Sequence, residues 1–406
     1  MKTRHILTAV SLIILAACTN DSSKKTTLED QTIIAQTTDI NGQPITACQL
    51  ELVNNTIELP LSYLTEDLKI VPLDNRDEAL VGKSNIYISE NYILATRSTG
   101  SHTIPCKLFH KDGKYICNVG SIGQGPGEYN LIYCAQIDEK GGYIYLLPWN
   151  AKALLTYNLK GEYVKSIPLN KKYSNLIVPK GVFRVDSEKN RIAVALLPFS
   201  NQPTVAWIQD MEGNVIHEPY ADYLKIKPDF SNEINLTRSD SHFGFHVFTF
   251  WELRKDTLYH LDMDNGKLLP QFTMDYNNIK MTIHDYHELP GHYMCMVTQP
   301  KQIAVGIYET QEQKFIIVDK NTHRGSYVRI INDYLDQSEI SHFPYACTDG
   351  YYIANMEPAV LMEQIERGLK QPQITDKQRA LLESLKKEVD ENHNNYILYA
   401  KLKTDF

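Results

Sequence analysis

Five times along the chain a dipeptide ending in glycine separates two short runs of strand-like residues: Asp112-Gly113, Lys160-Gly161, Glu212-Gly213, Asn265-Gly266 and Arg324-Gly325. Glycine reaches positive φ without a Cβ clash, so such a dipeptide reverses a strand tightly. The flanking runs, as in Ala153-Leu154-Leu155-Thr156-Tyr157-Asn158-Leu159, alternate as half-buried strands do. The last of the five turns is the loosest. Marking the repeats by strand starts at Ile86, Tyr143, Arg191, Val247, Tyr293 and Tyr351 gives spacings of 57, 48, 56, 46 and 58 residues. About four strands in about fifty residues is the size of one propeller blade. The expectation is therefore an all-β chain folded as a six-bladed β-propeller, one ring over residues 51–406. A helical insertion is expected in the last blade, at about 358–390. There Thr375 can cap a helix with Gln378 as partner, and Leu381, Leu382, Leu385 and Val389 share one face. The strand-like segment 395–402 then closes the chain. An open ring has two bare edges, and the segment around 56–73 is expected to pair within the last blade.

The densest turn chemistry lies between the first two repeats, where Gly123-Gln124-Gly125-Pro126-Gly127-Glu128-Tyr129 follows the hairpin at 107–118. Neither a helix nor a sheet ladder continues through three glycines and a proline in five positions. Clustered N–H groups can form an anion-binding nest. However, no Lys-Ser/Thr follows, Pro126 lacks a donor, and Glu128 repels anions. A structural turn between blades is the first expectation. A ligand-facing loop at the ring's mouth, with Gln124, Glu128 and Tyr129 as contacts, is the second.

The N-terminus is a processing signal. Lys2 and Arg4 precede the apolar stretch from Ile6 to Ala16, which is too short to span a bilayer and ends in Leu15-Ala16-Ala17-Cys18. Residues 1–17 are expected to be removed and Cys18 lipidated. Residues 18–50, rich in Thr, Gln, Asn, Asp and Lys, are expected to form a flexible tether. This lipobox, the GxGPGEY motif at 123–129, the entry segment Leu68-Lys69-Ile70-Val71-Pro72-Leu73 and the closing strand together resemble six-bladed β-propeller lipoproteins of Gram-negative envelopes (NHL/TolB-like propellers). The resemblance covers most of the mature chain. It implies outer-membrane anchoring through the lipid, on the periplasmic or the outer surface.

Removing the leader takes away two basic residues, leaving 39 basic against 49 acidic side chains, a net charge near −10. A chain so charged, without a basic run, is not expected to bind nucleic acid or to lie on anionic lipid. Six cysteines remain after Cys18, without regular spacing. A turn at Asp112-Gly113 would put Leu108 opposite Cys117 and Cys106 diagonal to it. Diagonal partners lie about 7–8 Å apart, too far for a relaxed disulfide, so both are expected as free core thiols.

Among candidate metal ligands, His284, His287 and His292 fall within nine residues. The pattern misses the zincin spacing, and Pro290-Gly291 would break the required helix. An interblade loop with solvated histidines is expected, with a gathered metal site as the weaker alternative. His246 alternates with Phe245 and is expected as a hydrogen-bonded sheet histidine. No Gly-x-Ser-x-Gly elbow occurs in the sequence. The expected function is therefore a binding or protein-interaction module for a glycan, a peptide or an envelope protein. The alternative is a metal-dependent hydrolase or lyase acting at the channel mouth. Propeller lactonases, which this shape resembles, gather Glu, Asn and Asp around calcium, so calcium is the cofactor that this alternative implies.

Overall fold

A computed structural model describes residues 13–15, 27–96, 104–239, 242–250, 252–298, 300–304, 307–310 and 313–404. Its sheets form six antiparallel blades around one axis, a six-bladed β-propeller. Blade 1 runs through Asn85–Ile88, Tyr92–Thr96, Cys106–His110 and Tyr115–Val119. Blade 2 comprises Ile132–Asp138, Tyr143–Pro148, Ala153–Asn158 and Tyr163–Pro168, and blade 3 Gly181–Asp186, Arg191–Leu196, Ala206–Gln209 and Val215–His217. Blade 4 holds Glu233–Ser239, His242–Phe248, Thr257–Leu261 and Leu268–Asp275; blade 5 holds Ile283–Leu289, His292–Thr298, Lys314–Asp319 and Gly325–Ile331. The first strands of blades 1 to 5 touch one another in turn around the axis, and Tyr351–Met356 of the sixth blade touches the first strand of blade 1. Ile86 lies in a first strand, whereas the other five sequence markers lie in second strands.

Closure uses the N-terminal segments one after another. Leu68–Pro72 pairs antiparallel with Tyr396–Lys401 and so completes blade 6 beside Cys347–Thr348 and Tyr351–Met356. Its other edge pairs with Ile13–Leu15. Thr56–Pro60 instead joins blade 5, where it runs parallel to Gly325–Ile331. The expected pairing of 56–73 with the last blade thus holds only for its second half. The tether boundary also moves. Ala35–Ile40 and Gln43–Gln49 form a hairpin laid parallel on Leu268–Asp275 of blade 4. The polar composition that suggested a tether belongs to the exposed side of this hairpin, while Ile34, Ala35, Ile45, Ala47 and Cys48 point inward. Cys18 and most of the leader lie outside the described residues.

The glycine turns do more than reverse strands. Those of the first three blades each lie against the outer strand of the preceding blade, and a glycine N–H or carbonyl bonds across the seam. Asp74 N–H donates to Gly113 O (2.8 Å), Gly120 N–H to Gly161 O (2.9 Å) and Lys171 N–H to Gly213 O (3.0 Å). A Cβ on Gly161, at φ +78°, would stand 2.0 Å from Asn118 O. In the fifth repeat the left-handed position falls on His323 (φ 58°), whose carbonyl accepts from Ile34 N–H at 2.9 Å. The turn looked weak in sequence because a histidine occupies the glycine's place.

Helices α1 (Leu61–Leu64), α2 (Pro358–Leu369) and α3 (Asp376–Glu388) complete the molecule. Thr375 caps α3 by accepting from Gln378 N–H at 3.2 Å. Leu361, Ile365, Leu382, Leu385 and Val389 join the core shared by blades 5 and 6, and Leu381 packs at its edge. Every described cysteine is a free thiol. Leu108 stands opposite Cys117 and Cys106 opposite Val119, the diagonal arrangement expected. Burial pushes the Cys48 and Cys106 thiols up to about 12, which makes them poor nucleophiles.

Candidate functional site

Where the first strands begin, the ring encloses a cavity of about 540 Å³. Tyr87, Tyr133, Lys180, Glu233, Asn235, His287 and Tyr345 line it, and Trp149 and Phe230 stand at its rim. Both rim residues precede or follow strands rather than lie within them, so no sheet face buries them. Trp149 is 41% and Phe230 50% exposed. Their ring centroids are 5.9 Å apart, and Phe199 supports Phe230 edge-on at 5.1 Å. The lining contains fixed polar groups. Lys180 Nζ donates to Glu233 Oε1 and to the carbonyls of Phe230 (2.8 Å) and Asn232 (2.9 Å). Tyr133 donates its hydroxyl proton to the other Glu233 oxygen. Lys180 thus ties the backbone of the rim residue Phe230 to the Glu233 carboxylate.

Asp285 lies behind this lining. It accepts from Asn235 Nδ2 (2.6 Å) and from His246 Nδ1 (2.9 Å), with His287 Nε2 at 3.4 Å. Burial alone would raise its pKa, but His287 and His246 outweigh that and hold the carboxyl far below the usual range. The three sequence-predicted histidines are placed differently from expectation. His284 and His287 lie on Ile283–Leu289, and His292 opens the next strand, with Pro290-Gly291 as a two-residue turn between them. All three are buried, not solvated. The residue pair read as a helix breaker is a hairpin turn, with Gly291 at φ +69°. Strand alternation sets His284 on the face opposite His287, and the turn carries His292 onto the next strand. His287 reaches the cavity, His292 lies 3.4 Å from Asp319, and His284 points into the seam between blades 4 and 5.

The loop at 123–129 joins blades 1 and 2 and is tied to itself. Glu128 accepts from Gly125 N–H (2.8 Å) and from the Ser121 hydroxyl (3.4 Å). A side chain on Gly123 would fill the position of the Glu128 carboxylate, and one on Gly127 would meet the Tyr163 ring at 2.4 Å. Tyr157 donates to Gly127 O (2.8 Å), while the Tyr129 hydroxyl receives Cys106 N–H (2.8 Å) and donates to Val119 O. Gln124, Gly125 and Pro126 are exposed. None of residues 123–129 lines the cavity, though Leu131 and Ile132 shortly after them do.

Sequence reasoning missed Trp149, Phe230, Lys180, Glu233 and Asp285. They lie on four blades, and no local spacing marks them. The only signal was their position, since each sits just outside or near the start of a strand that the repeat pattern could place.

Together the ring and the cavity define a class: a six-bladed propeller with an aromatic-rimmed axial site. The family model described as Domain of unknown function (DUF4934) matches residues 45–401, and the chain belongs to that family. Among solved structures, a candidate exported protein of Bacteroides fragilis NCTC 9343 is similar at 16% identity and TM-score 0.55. The match covers 86% of this chain and 100% of that one. A member of the DUF4221 family from Bacteroides vulgatus ATCC 8482 matches at 13% identity and TM-score 0.44, over 84% and 97% of the two chains. Comparison with curated proteins gives no match. Among the described residues no helix is long and apolar enough to cross a membrane.

Proposed function

We propose that this chain is a lipid-anchored binding module of a bacterial envelope, of NHL/TolB-like kind, that holds a carbohydrate at the axial cavity. The leader and lipobox ending at Cys18 support the anchor, and the match to a candidate exported protein agrees with it. The observation that carries the ligand class is the pair of exposed rings, Trp149 and Phe230, set over a cavity lined by amide, hydroxyl and carboxylate groups. Sugar C–H faces stack on aromatic rings, and sugar hydroxyls need just such fixed polar partners. A calcium-dependent hydrolase at this mouth would need carboxylate oxygens free for the metal. Glu233 is already bonded through both oxygens, to Lys180 and Tyr133, which favours binding over that alternative.

The test is a glycan array probed with the full chain, followed by calorimetry on the oligosaccharide retained. Trp149→Ala and Phe230→Ala should each weaken binding at least tenfold. Tyr220→Ala, 78% exposed and not among the cavity's lining residues, should leave it unchanged. Retention of peptides but no glycan would replace the carbohydrate reading. Glycan binding insensitive to both rim variants would remove the cavity from it.

A further inference from the structure

We infer that the seam between blades 4 and 5 holds a divalent transition-metal site of the zinc type, formed by His246, Asp256 and His284. These residues come from three separate strand regions. His246 lies on His242–Phe248, Asp256 directly precedes Thr257–Leu261, and His284 lies on Ile283–Leu289 of the next blade. Each offers one ligand atom, and the three atoms lie within 4.8 Å of one another. All three residues are buried, at 0%, 5% and 4% exposure. Among the described residues His246 Nε2, His284 Nε2 and Asp256 Oδ2 find no hydrogen-bond partner. A buried acceptor left unpaired carries its whole desolvation penalty, so three in one place call for a shared partner. Ligand atoms about 2.1 Å from a tetrahedral zinc stand about 3.4 Å apart, a modest closing of the present spacing.

The opposite side of each ligand is already oriented. His246 donates Nδ1–H to Asp285 Oδ1 at 2.9 Å, the carboxylate–histidine arrangement that directs Nε2 toward a metal. His284 Nδ1 sits 3.0 Å from Thr282 O, which can only accept, and 2.8 Å from the Tyr276 hydroxyl. That contact fixes the proton on Nδ1 and leaves the Nε2 lone pair bare. Arg254 Nε lies 2.7 Å from Asp256 Oδ1, leaving Oδ2 for the site. Two imidazoles with one carboxylate suit zinc and its first-row neighbours rather than calcium or magnesium, which take oxygen ligands. Three protein donors leave at least one position for water. The site is distinct from the cavity proposed for carbohydrate, but Asp285 touches both, since it also accepts from Asn235 of the cavity lining.

The experiment is metal analysis of the full chain purified without chelator, then cobalt reconstitution after demetallation. About one zinc per chain is expected. Cobalt bound to the demetallated chain should give visible d–d absorption without a thiolate charge-transfer band, since the three ligands include no cysteine. His284→Gln and Asp256→Asn should lower uptake at least tenfold in folded protein, and His292→Gln should not. Asp285→Asn, which keeps every ligand, should weaken metal affinity about 10- to 100-fold. No zinc and no cobalt spectrum from the folded wild-type chain would overturn the site and assign the space to water. Unchanged uptake in folded His284→Gln would overturn it equally. Wild-type spectra decide the matter even where a variant fails to fold.

Discussion

Among single residues, buried charge in the blade 4–5 region makes stability depend on pH in a definite direction. Glu288 is bound by His260 Nε2 and Lys320 Nζ, both at 2.6 Å. Burial would raise its pKa, but the hydrogen bond and charge of His260, with Lys320, bring it down to about 2. Its folded pKa is below the unfolded value of about 4.3, so its contribution is complete above that pH and is lost as pH falls through about 2. The depression corresponds to about 3 kcal/mol. Glu288→Gln should therefore be clearly less stable than the wild type at pH 7, with the gap closing as pH falls from about 4.3 toward about 2. Urea melts at about pH 7, 4 and 3 measure it, and a gap independent of pH would refute the assignment. Glycine offers a second comparison. Gly142→Ala, at φ +75° with open space around it, should cost only the left-handed penalty of about 1–2 kcal/mol. Gly161→Ala carries the same penalty plus a clash with Asn118 O that no rotamer relieves, so it should cost roughly 3 kcal/mol or more. Equal melting temperatures for the two variants would show that the seam does not hold the blades.

Among strands and helices, what the sequence reveals is what local rules control. The first four turn glycines, the strand Ala153–Asn158 and the cap at Thr375 all depend on neighbours a few residues away, and each is found where expected, although that strand is buried on both faces rather than half-buried. The destinations of the N-terminal strands were hidden because edge pairing of Gln43–Gln49 with Leu268–Asp275 joins segments far apart in the chain. The site was hidden for the same reason. The histidines at 284, 287 and 292 looked like a cluster in sequence, yet strand alternation and a hairpin turn send them to three places. The group that converges, His246, Asp256 and His284, has no spacing to advertise it. The helical insertion shows how local and long-range terms combine. Thr375→Ala removes one cap and should cost about 1 kcal/mol, whereas Leu382→Ala opens the core beneath α3 and should cost about 2–5 kcal/mol. Chemical denaturation of both variants checks the ranking. A cap costing more than the core leucine would mean that α3 is held by its own end rather than by the propeller.

Taken whole, the propeller is a ring whose last three blades are finished by the chain's beginning. Blade 6 takes Leu68–Pro72 as its fourth strand, blade 5 takes Thr56–Pro60 as a fifth, and blade 4 takes a whole hairpin. Only the first of these closes the ring, so the three additions are not equivalent. The hairpin at 35–49 covers the edge of Leu268–Asp275, and with its flanking residues it adds Ile34, Ala35, Cys48 and Leu50 to the cluster of Phe272, Met274 and Tyr276. A chain starting at residue 51 keeps the closing strand but uncovers a long parallel-pairing edge beside that apolar cluster. Such an edge is a template for another chain. The truncated protein should therefore retain its β-sheet circular dichroism, melt at lower temperature, and self-associate as concentration rises. Light scattering across a concentration series, beside the full-length chain, measures this. A truncated chain that stays monomeric with an unchanged melting temperature would make the hairpin a decoration. The opposite result would make it part of the fold, and would place the start of the structural unit before the point at which the blades themselves begin.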